Sequence, residues 1–163
     1  MTDRLLMQDP RNQYPKPPFP RQPQTAPGEA SKMDPVPDHG ETSYKGSGKL
    51  KGRKALVTGG DSGIGRAAAI AFAREGADVA IAYLPAEKSD AAEVIELIKA
   101  EGRTAVALPG DIMNEAWCRD LVAEAVKKLG GLDILVINAG RQQSRADISK
   151  VSSDDFDRTM KTN

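Results

Sequence analysis

The sequence predicts an α/β fold: a doubly wound parallel sheet of about four strands, with helices on both faces, entered through a proline-rich arm. Three observations predict it. From Lys54 onward short apolar runs alternate with longer runs of helical spacing. Glycines close most of these runs. Nine of the eleven prolines fall before Lys54, where aliphatic residues are few.

The elements follow in order. Residues 1–50 hold Pro10, Pro15, Pro17, Pro18, Pro20, Pro23, Pro27, Pro35 and Pro37. Such a stretch buries too little apolar surface to offset its ordering entropy, and proline keeps it extended. It is expected to be a disordered, largely polyproline-like arm. A tether or a strap on the body or a neighbouring subunit is favoured over a ligand for a proline-reading domain, which Pro15-Lys16-Pro17-Pro18 alone suggests. Gly46-Ser47-Gly48 is expected to act as a hinge into the body, residues 51–163.

In the body, Ala55–Thr58 is a short apolar run ended by glycines, hence a buried strand. Ile64–Glu75 is alanine-rich with Gly76 as its stop, a helix. Asp78–Tyr83 is the second strand, broken by Pro85. In Glu87–Glu101 the residues Ala91, Val94, Ile95 and Ile98 fall at helical spacing, with Gly102 closing the helix. Thr104–Leu108 is the third strand. Asn114 suits the cap of a helix to Leu129, ended by Gly130-Gly131. Leu132–Asn138 is the fourth strand, and Ser152 or Ser153 caps a last helix. Strands alternating with helices of these lengths pair in parallel, and continuous apolar strands are covered on both faces.

Composition excludes several classes of function. Lys plus Arg balances Asp plus Glu at 23 each, which offers no electrostatic footprint for nucleic acid or an anionic membrane. No apolar stretch is long enough to span a bilayer, and Met1–Pro20 lacks the apolar core of a secretory signal. Cys118 is the single cysteine, which fits a cytoplasmic protein without an internal disulfide. His39 is the single histidine, so no metal site is expected.

The chemistry-bearing motif is Thr58-Gly59-Gly60-Asp61-Ser62-Gly63-Ile64-Gly65, set between a strand and a helix. A dinucleotide's phosphates must reach backbone N–H groups at a helix N-terminus, and side chains would block that approach. Gly59 suits the tight turn off the strand, Gly63 the close approach of backbone to pyrophosphate, and Gly65 the close packing of helix on sheet.

Thr58–Gly65, then Asp111 after the third strand, Asn138-Ala139-Gly140 after the fourth, and Asn163 in the next helix, together resemble the short-chain dehydrogenases/reductases. The resemblance covers about Leu50 to Asn163. Lys32-Met33-Asp34-Pro35-Val36-Pro37-Asp38, Gly60–Gly63 and Tyr83-Leu84-Pro85 resemble a branch of bacterial stress-associated and glucose/ribitol-dehydrogenase-like oxidoreductases with a long N-terminal extension.

The resemblance implies the N-terminal part of a Rossmann-like fold, a C-terminally truncated chain, and NAD or NADP as cofactor. It implies a small-molecule substrate, a sugar, alcohol, aldehyde or ketone, and homo-oligomers of the intact enzyme. By resemblance, Gly59, Asp61, Ser62, Gly63, Ile64 and Gly65 wrap the pyrophosphate and adenosine ribose, with Tyr83 and Leu84 beside them. Asp111 and Ile112 meet the adenine; read alone, Asp111 also suits a turn after Pro109-Gly110. Asn138, Ala139 and Gly140 lie under the cofactor. Ile137 stands where the family often has a further asparagine, and is expected to pack into the sheet. Asn163 corresponds to a catalytic asparagine that bends the fourth helix and helps hold a relay water; read alone it is an ordinary polar residue.

The resemblance also implies a Ser and a Tyr-x-x-x-Lys pair for proton transfer. Tyr14, Tyr44 and Tyr83 are followed four residues on by Pro18, Gly48 and Glu87, so the pair is absent. The chain alone is therefore expected to be inactive, with Leu132–Asn138 as an exposed edge strand. A non-catalytic NAD(P)-binding or interaction module, and an interrupted gene, stand as alternatives. An acid at the end of the second strand selects NAD and a base accepts NADP. This chain has Tyr83-Leu84-Pro85 there, so both stay open, with NAD slightly favoured.

Overall fold

The computed structural model describes residues 9–12, 14–25 and 28–163. The expectation of an extended arm over Met1–Gln8, Gln13, Ala26 and Pro27 lies outside the described residues.

The body holds four strands and four helices in alternation: β1 Lys54–Thr58, α1 Gly63–Arg74, β2 Asp78–Tyr83, α2 Lys88–Ala100, β3 Ala105–Pro109, α3 Glu115–Leu129, β4 Ile134–Val136 and α4 Ser153–Thr162. The sheet order is β3-β2-β1-β4 and all pairings are parallel. Val57 lies opposite both Ile81 of β2 and Val136 of β4, so β1 and β2 are the inner strands.

Successive side chains of a strand point to opposite faces, and the two faces are covered by different helices. Ala55, Val57, Val79 and Ile81 pack with Ala69 and Ala73 of α1 and Val94 and Ile98 of α2. Leu56, Ala80 and Ala82 pack instead with Leu121, Ala125 and Leu129 of α3. Leu56, Val57, Val79 and Ile81 are fully buried, each stabilising the fold by roughly 1.5–3 kcal/mol relative to exposure. The small residues of α1, Ala69 and Ala73, let the helix lie close on the sheet.

The caps follow their chemistry. The Asn114 side chain accepts the Trp117 N–H at 3.1 Å, and Gly130 ends α3 in the left-handed conformation, φ +75°. The Ser152 hydroxyl accepts the Asp155 N–H at 3.1 Å and so is the cap of α4, leaving Ser153 as its first residue.

Two strand expectations change. β4 pairs only over Ile134–Val136, because the Asn138 N–H donates to the Thr58 side chain instead of continuing the ladder. Ile137 does not pack into the sheet: it is 80% exposed and Leu135 is 51% exposed. Both lie on the face that α3 covers elsewhere, and α3 does not reach them. β4 is the edge strand that the sequence predicts.

The arm also differs from a free polyproline tail. The Gln22 side chain exchanges two hydrogen bonds with the backbone of Asp34, at 2.8 and 2.7 Å. Gln24 does the same with Glu29, at 3.0 and 2.7 Å. Each glutamine amide pairs with the backbone as a short strand partner would. From Ala30 the arm is strapped to the body. The Ala30 N–H donates to the buried Asp90 at 3.1 Å, and Arg66 donates to Glu41 at 2.9 Å. Arg74 donates to the carbonyls of Gly40, Glu41 and Tyr44.

Glu75 gathers the Tyr44 hydroxyl and the Ser47 and Lys49 N–H groups, the last two at 2.9 Å. Gly46-Ser47-Gly48 is thus a seam, not a hinge: a Cβ on Gly46 would meet the Arg74 carbonyl at 1.9 Å. Polar partners on α1 and α2 supply what the arm's apolar content does not. Among the described residues, no helix is long and apolar enough to cross a membrane.

Candidate functional site

The glycine loop joins β1 to α1 at the carboxyl end of the sheet, the edge where open α/β sheets bind ligands. Its turn starts at Gly59 (φ +63°), whose N–H donates to the Ala82 carbonyl of β2 at 2.8 Å. A Cβ at Gly65 would lie 1.9 Å from the Gly59 carbonyl and 2.6 Å from the Asn138 amide nitrogen. Gly65 is therefore required by protein packing alone. Gly63 is different. It has φ +51°, and a Cβ there would meet no protein atom within 4 Å. Its bare side opens onto free space.

Ser62 caps α1 by position, yet its side chain makes no capping hydrogen bond to the helix. The first intrahelical bond of this stretch is the Arg66 N–H to the Ser62 carbonyl, at 3.0 Å. The N–H groups of Gly63, Ile64 and Gly65 thus precede the helix ladder, at the positive end of the helix dipole. The Ile64 side chain is 81% exposed. This arrangement has what an anionic group at a helix N-terminus needs.

Asn138 and Ala139 close the floor. Thr58, which sequence reasoning included in the motif but assigned no role, organises them. Its hydroxyl accepts the N–H of Asn138 at 3.0 Å and of Ala139 at 3.1 Å. The Asn138 side-chain amide donates to the carbonyls of Thr58 and Gly59, each at 3.1 Å. The structure therefore brings Gly59, Gly65, Asn138 and Ala139 into one contact set.

The end of β2 forms a second group. Asp61 is 2% exposed, and burial pushes its carboxyl up; its own backbone N–H and the Ser62 hydroxyl oppose the rise, and the Asp90 charge adds to it. Glu87 is also pushed up, first by burial and then by the Asp61 charge, while it accepts the Leu84 N–H at 3.1 Å. Tyr83 is buried in the core, and burial followed by the Asp61 charge raises its phenol. Leu84 is exposed at 37%. Three carboxylates, Asp61, Glu87 and Asp90, thus stand close enough to affect one another.

Asp111 and Ile112 sit beyond β3. The Gly110 N–H donates to the Tyr83 carbonyl at 2.9 Å, which ties this turn to the end of β2. One Asp111 carboxylate oxygen accepts the Met113 N–H at 2.9 Å and its carbonyl accepts the Asn114 N–H at 3.0 Å, so Asp111 does shape a turn. The Ile112 carbonyl accepts the Cys118 thiol at 3.1 Å, which gives Cys118 a structural partner.

Gly140 and Asn163 meet each other: a Cβ on Gly140 would lie 3.0 Å from the Asn163 side-chain oxygen. The Asn163 side chain accepts the Arg141 N–H at 2.9 Å and donates to the Arg141 carbonyl at 2.8 Å. Both polar ends of Asn163 are thus spent on the backbone that follows Gly140. His39 faces Glu41 at 3.0 Å. Among the described residues, no group of three or more His, Cys, Asp or Glu side chains is placed to hold a metal ion.

With this geometry in place, comparison with known proteins decides the family. The short chain dehydrogenase model matches residues 53–163, from the start of β1 through α4. The chain belongs to the short chain dehydrogenase family. It is 61% identical over 145 residues to the uncharacterized oxidoreductase YhxD of Bacillus subtilis (strain 168), covering 89% of this chain and 48% of that protein. It is 42% identical over 151 residues to the glucose and ribitol dehydrogenase homolog of Oryza sativa subsp. japonica, covering 88% of this chain and 50% of the relative. Among solved structures, a short chain dehydrogenase from Burkholderia cenocepacia J2315 in complex with NADP superposes with a TM-score of 0.65 at 41% identity, covering 70% of this chain and 46% of that one. This short chain dehydrogenase chain spans about half the length of the relatives it matches.

Proposed function

We propose that this chain binds the adenosine and pyrophosphate half of a nicotinamide dinucleotide. We further propose that the protein it represents is an NAD(P)-dependent oxidoreductase of CH–OH and carbonyl groups, with sugars or simple alcohols as the substrate class. The observation that carries the binding reading is the open side of Gly63 beside the uncapped start of α1. A purely structural turn has no need of free space there; a phosphate does.

The residues fit the group. The N–H groups of Gly63 and Ile64 would face the pyrophosphate, Ser62 would hold the adenosine ribose with the buried Asp61 behind it, and Asp111 and Ile112 would meet the adenine. Tyr83 and Leu84 would wall the ribose side, and Asn138, Ala139 and Gly140 the floor. The dinucleotide, when bound, supplies the hydride donor or acceptor. The chain's own residues bind it, orient it and exclude water from it.

The acids at the end of β2 favour NAD over NADP. A 2′-phosphate at the end of β2 would meet the half-buried Glu87, with Asp61 and Asp90 buried behind it, while Leu84 offers no cation; Lys88 opens α2 exposed to solvent. Calorimetric titration with NAD, NADP and ADP-ribose tests both statements. Folded protein that binds none of them at millimolar concentration would overturn the dinucleotide reading; tighter binding of NADP than of NAD would overturn the preference.

Proton transfer is the part these residues do not supply. Tyr44, in the arm, is hydrogen-bonded to Glu75 at the end of α1, and Tyr83 lies in the core. The 163-residue chain alone is therefore proposed to bind without turnover.

A further inference from the structure

We infer that the arm is part of the dinucleotide site: residues 30–44 form an outer wall against the phosphate-bearing segment of the ligand, so that cofactor binding and arm docking reinforce each other. This rests on the dinucleotide reading above and extends it to a segment outside the residues that the family model matches.

A recess of about 640 Å³ lies between the arm and the start of α1, within the roughly 300–1,000 Å³ of small-molecule sites. Gln24, Met33 and His39 line it from the arm; Ser62, Gly63 and Ile64 line it from the glycine loop. Those three loop residues are the ones whose backbone opens α1. A ligand anion seated on their N–H groups would thus stand in a space that the arm already bounds. Met33 at 41% exposure and Ile64 at 81% both keep apolar surface free there, ready to be covered by a ligand.

The arm is held in this place by helices α1 and α2, which flank the loop. Arg66 follows Gly65 directly, is 8% exposed, and donates to Glu41 of the arm and Glu93 of α2 at 2.9 and 3.1 Å. Burial alone would raise the Glu41 carboxyl; its own backbone N–H, then the N–H and ring of His39, bring it below the usual value. Glu41 therefore stays charged opposite Arg66. Asp90, 3% exposed, accepts the Ala30 N–H. At the far end of α1, Arg74 holds three arm carbonyls. A ligand that touches the docked arm must favour docking by the same factor that docking favours the ligand.

The test uses the full 163-residue chain, NAD and ADP-ribose as probes, hydrogen exchange across residues 30–44, and the variants Glu41→Gln and Arg74→Met. Arg74 lies at the opposite end of α1 from the loop; it also donates to Glu101 at 3.0 Å, so Glu101→Gln is the control that separates the arm's contribution from that of this contact. Both probes are expected to slow exchange in the arm. Each variant is expected to weaken binding about tenfold if it lowers the docked fraction to about one tenth. Unchanged arm exchange with NAD bound, or parent-like affinity in a variant whose arm exchange has risen, overturns the wall while leaving the dinucleotide reading intact. No binding by the parent chain overturns both. If a variant unfolds, the exchange of the parent chain with and without NAD decides alone.

Discussion

Asn138 is bonded to Thr58 at both ends. Its backbone N–H donates to the Thr58 hydroxyl at 3.0 Å, and its side-chain amide donates to the Thr58 carbonyl at 3.1 Å. The same hydroxyl accepts the Ala139 N–H at 3.1 Å. One side chain thus replaces the ladder that β4 abandons after Val136. Thr58→Val keeps the shape and removes the acceptor of two part-buried N–H groups. The expected cost is about 1–3 kcal/mol of unfolding free energy, read by chemical denaturation. Thr58→Ser should recover most of it. An unchanged midpoint in Thr58→Val would mean that water satisfies these groups equally well.

Gly63 and Gly65 should separate when substituted. Gly65→Ala places a methyl 1.9 Å from the Gly59 carbonyl, so the loop or α1 must move and the fold should suffer. At Gly63 an added Cβ meets no protein atom within 4 Å, although the φ of +51° makes Gly63→Val a strained substitution. It should remain folded by circular dichroism and lose ADP-ribose binding in calorimetry. Retained binding in folded Gly63→Val would place the phosphates elsewhere.

The Glu75 latch should open in acid. The Tyr44 hydroxyl above all, then the Lys49 and Ser47 N–H groups, hold its carboxyl down at about 2, against an ordinary 4.5. A depressed carboxylate contributes stability above its unfolded value, and that contribution is lost as pH falls through the folded value. Exchange at Ser47 and Lys49, corrected for intrinsic rate, should therefore accelerate as pH falls from 4.5 toward 2. Tyr44→Phe removes the largest contribution and should start the release at higher pH. Protection that stays flat to the acid end would show that the seam at Gly46 holds without the carboxylate.

No turnover is expected from the 163-residue chain with NAD or NADP and any alcohol or aldose. Hydride transfer to or from a carbonyl needs a positioned acid or base. Asn163 does not titrate in this range, and both ends of its amide are bonded to Arg141. Asp111 is engaged in the turn after β3. The assay follows reduced nicotinamide by absorbance, with host dehydrogenases removed. Steady turnover that survives Tyr83→Phe would show that another group of the chain serves as the acid or base.

The alternation of apolar strands and glycine-stopped helices was legible because each element carries its own period and its own stop. β2 has the bounds that the sequence predicts, and the caps at Asn114 and Gly130 work as their residue types suggest. Edge behaviour was harder to read. Ile137 looks like a core residue in sequence, since periodicity reports that a residue is apolar and not whether a helix reaches its face. The arm was harder still. Its proline content forecast an extended, disordered segment; the described part is ordered by local pairing of Gln22 and Gln24 with nearby backbone and by Glu41 and Tyr44 pairing with partners 25 and 31 residues on.

By itself the sequence determined the α/β alternation, the turn chemistry of the glycine loop and the family motifs. These depend on residues a few positions apart, where local sterics and hydrogen bonding decide the conformation. Tertiary structure alone decided that Thr58 anchors Asn138, that Asp61 joins Glu87 and Asp90, and that Arg66, Arg74 and Glu75 bind the arm. Those partners stand about 25 to 80 residues apart, and a side chain's charge and hydrogen-bond capacity do not say which distant group will share its burial.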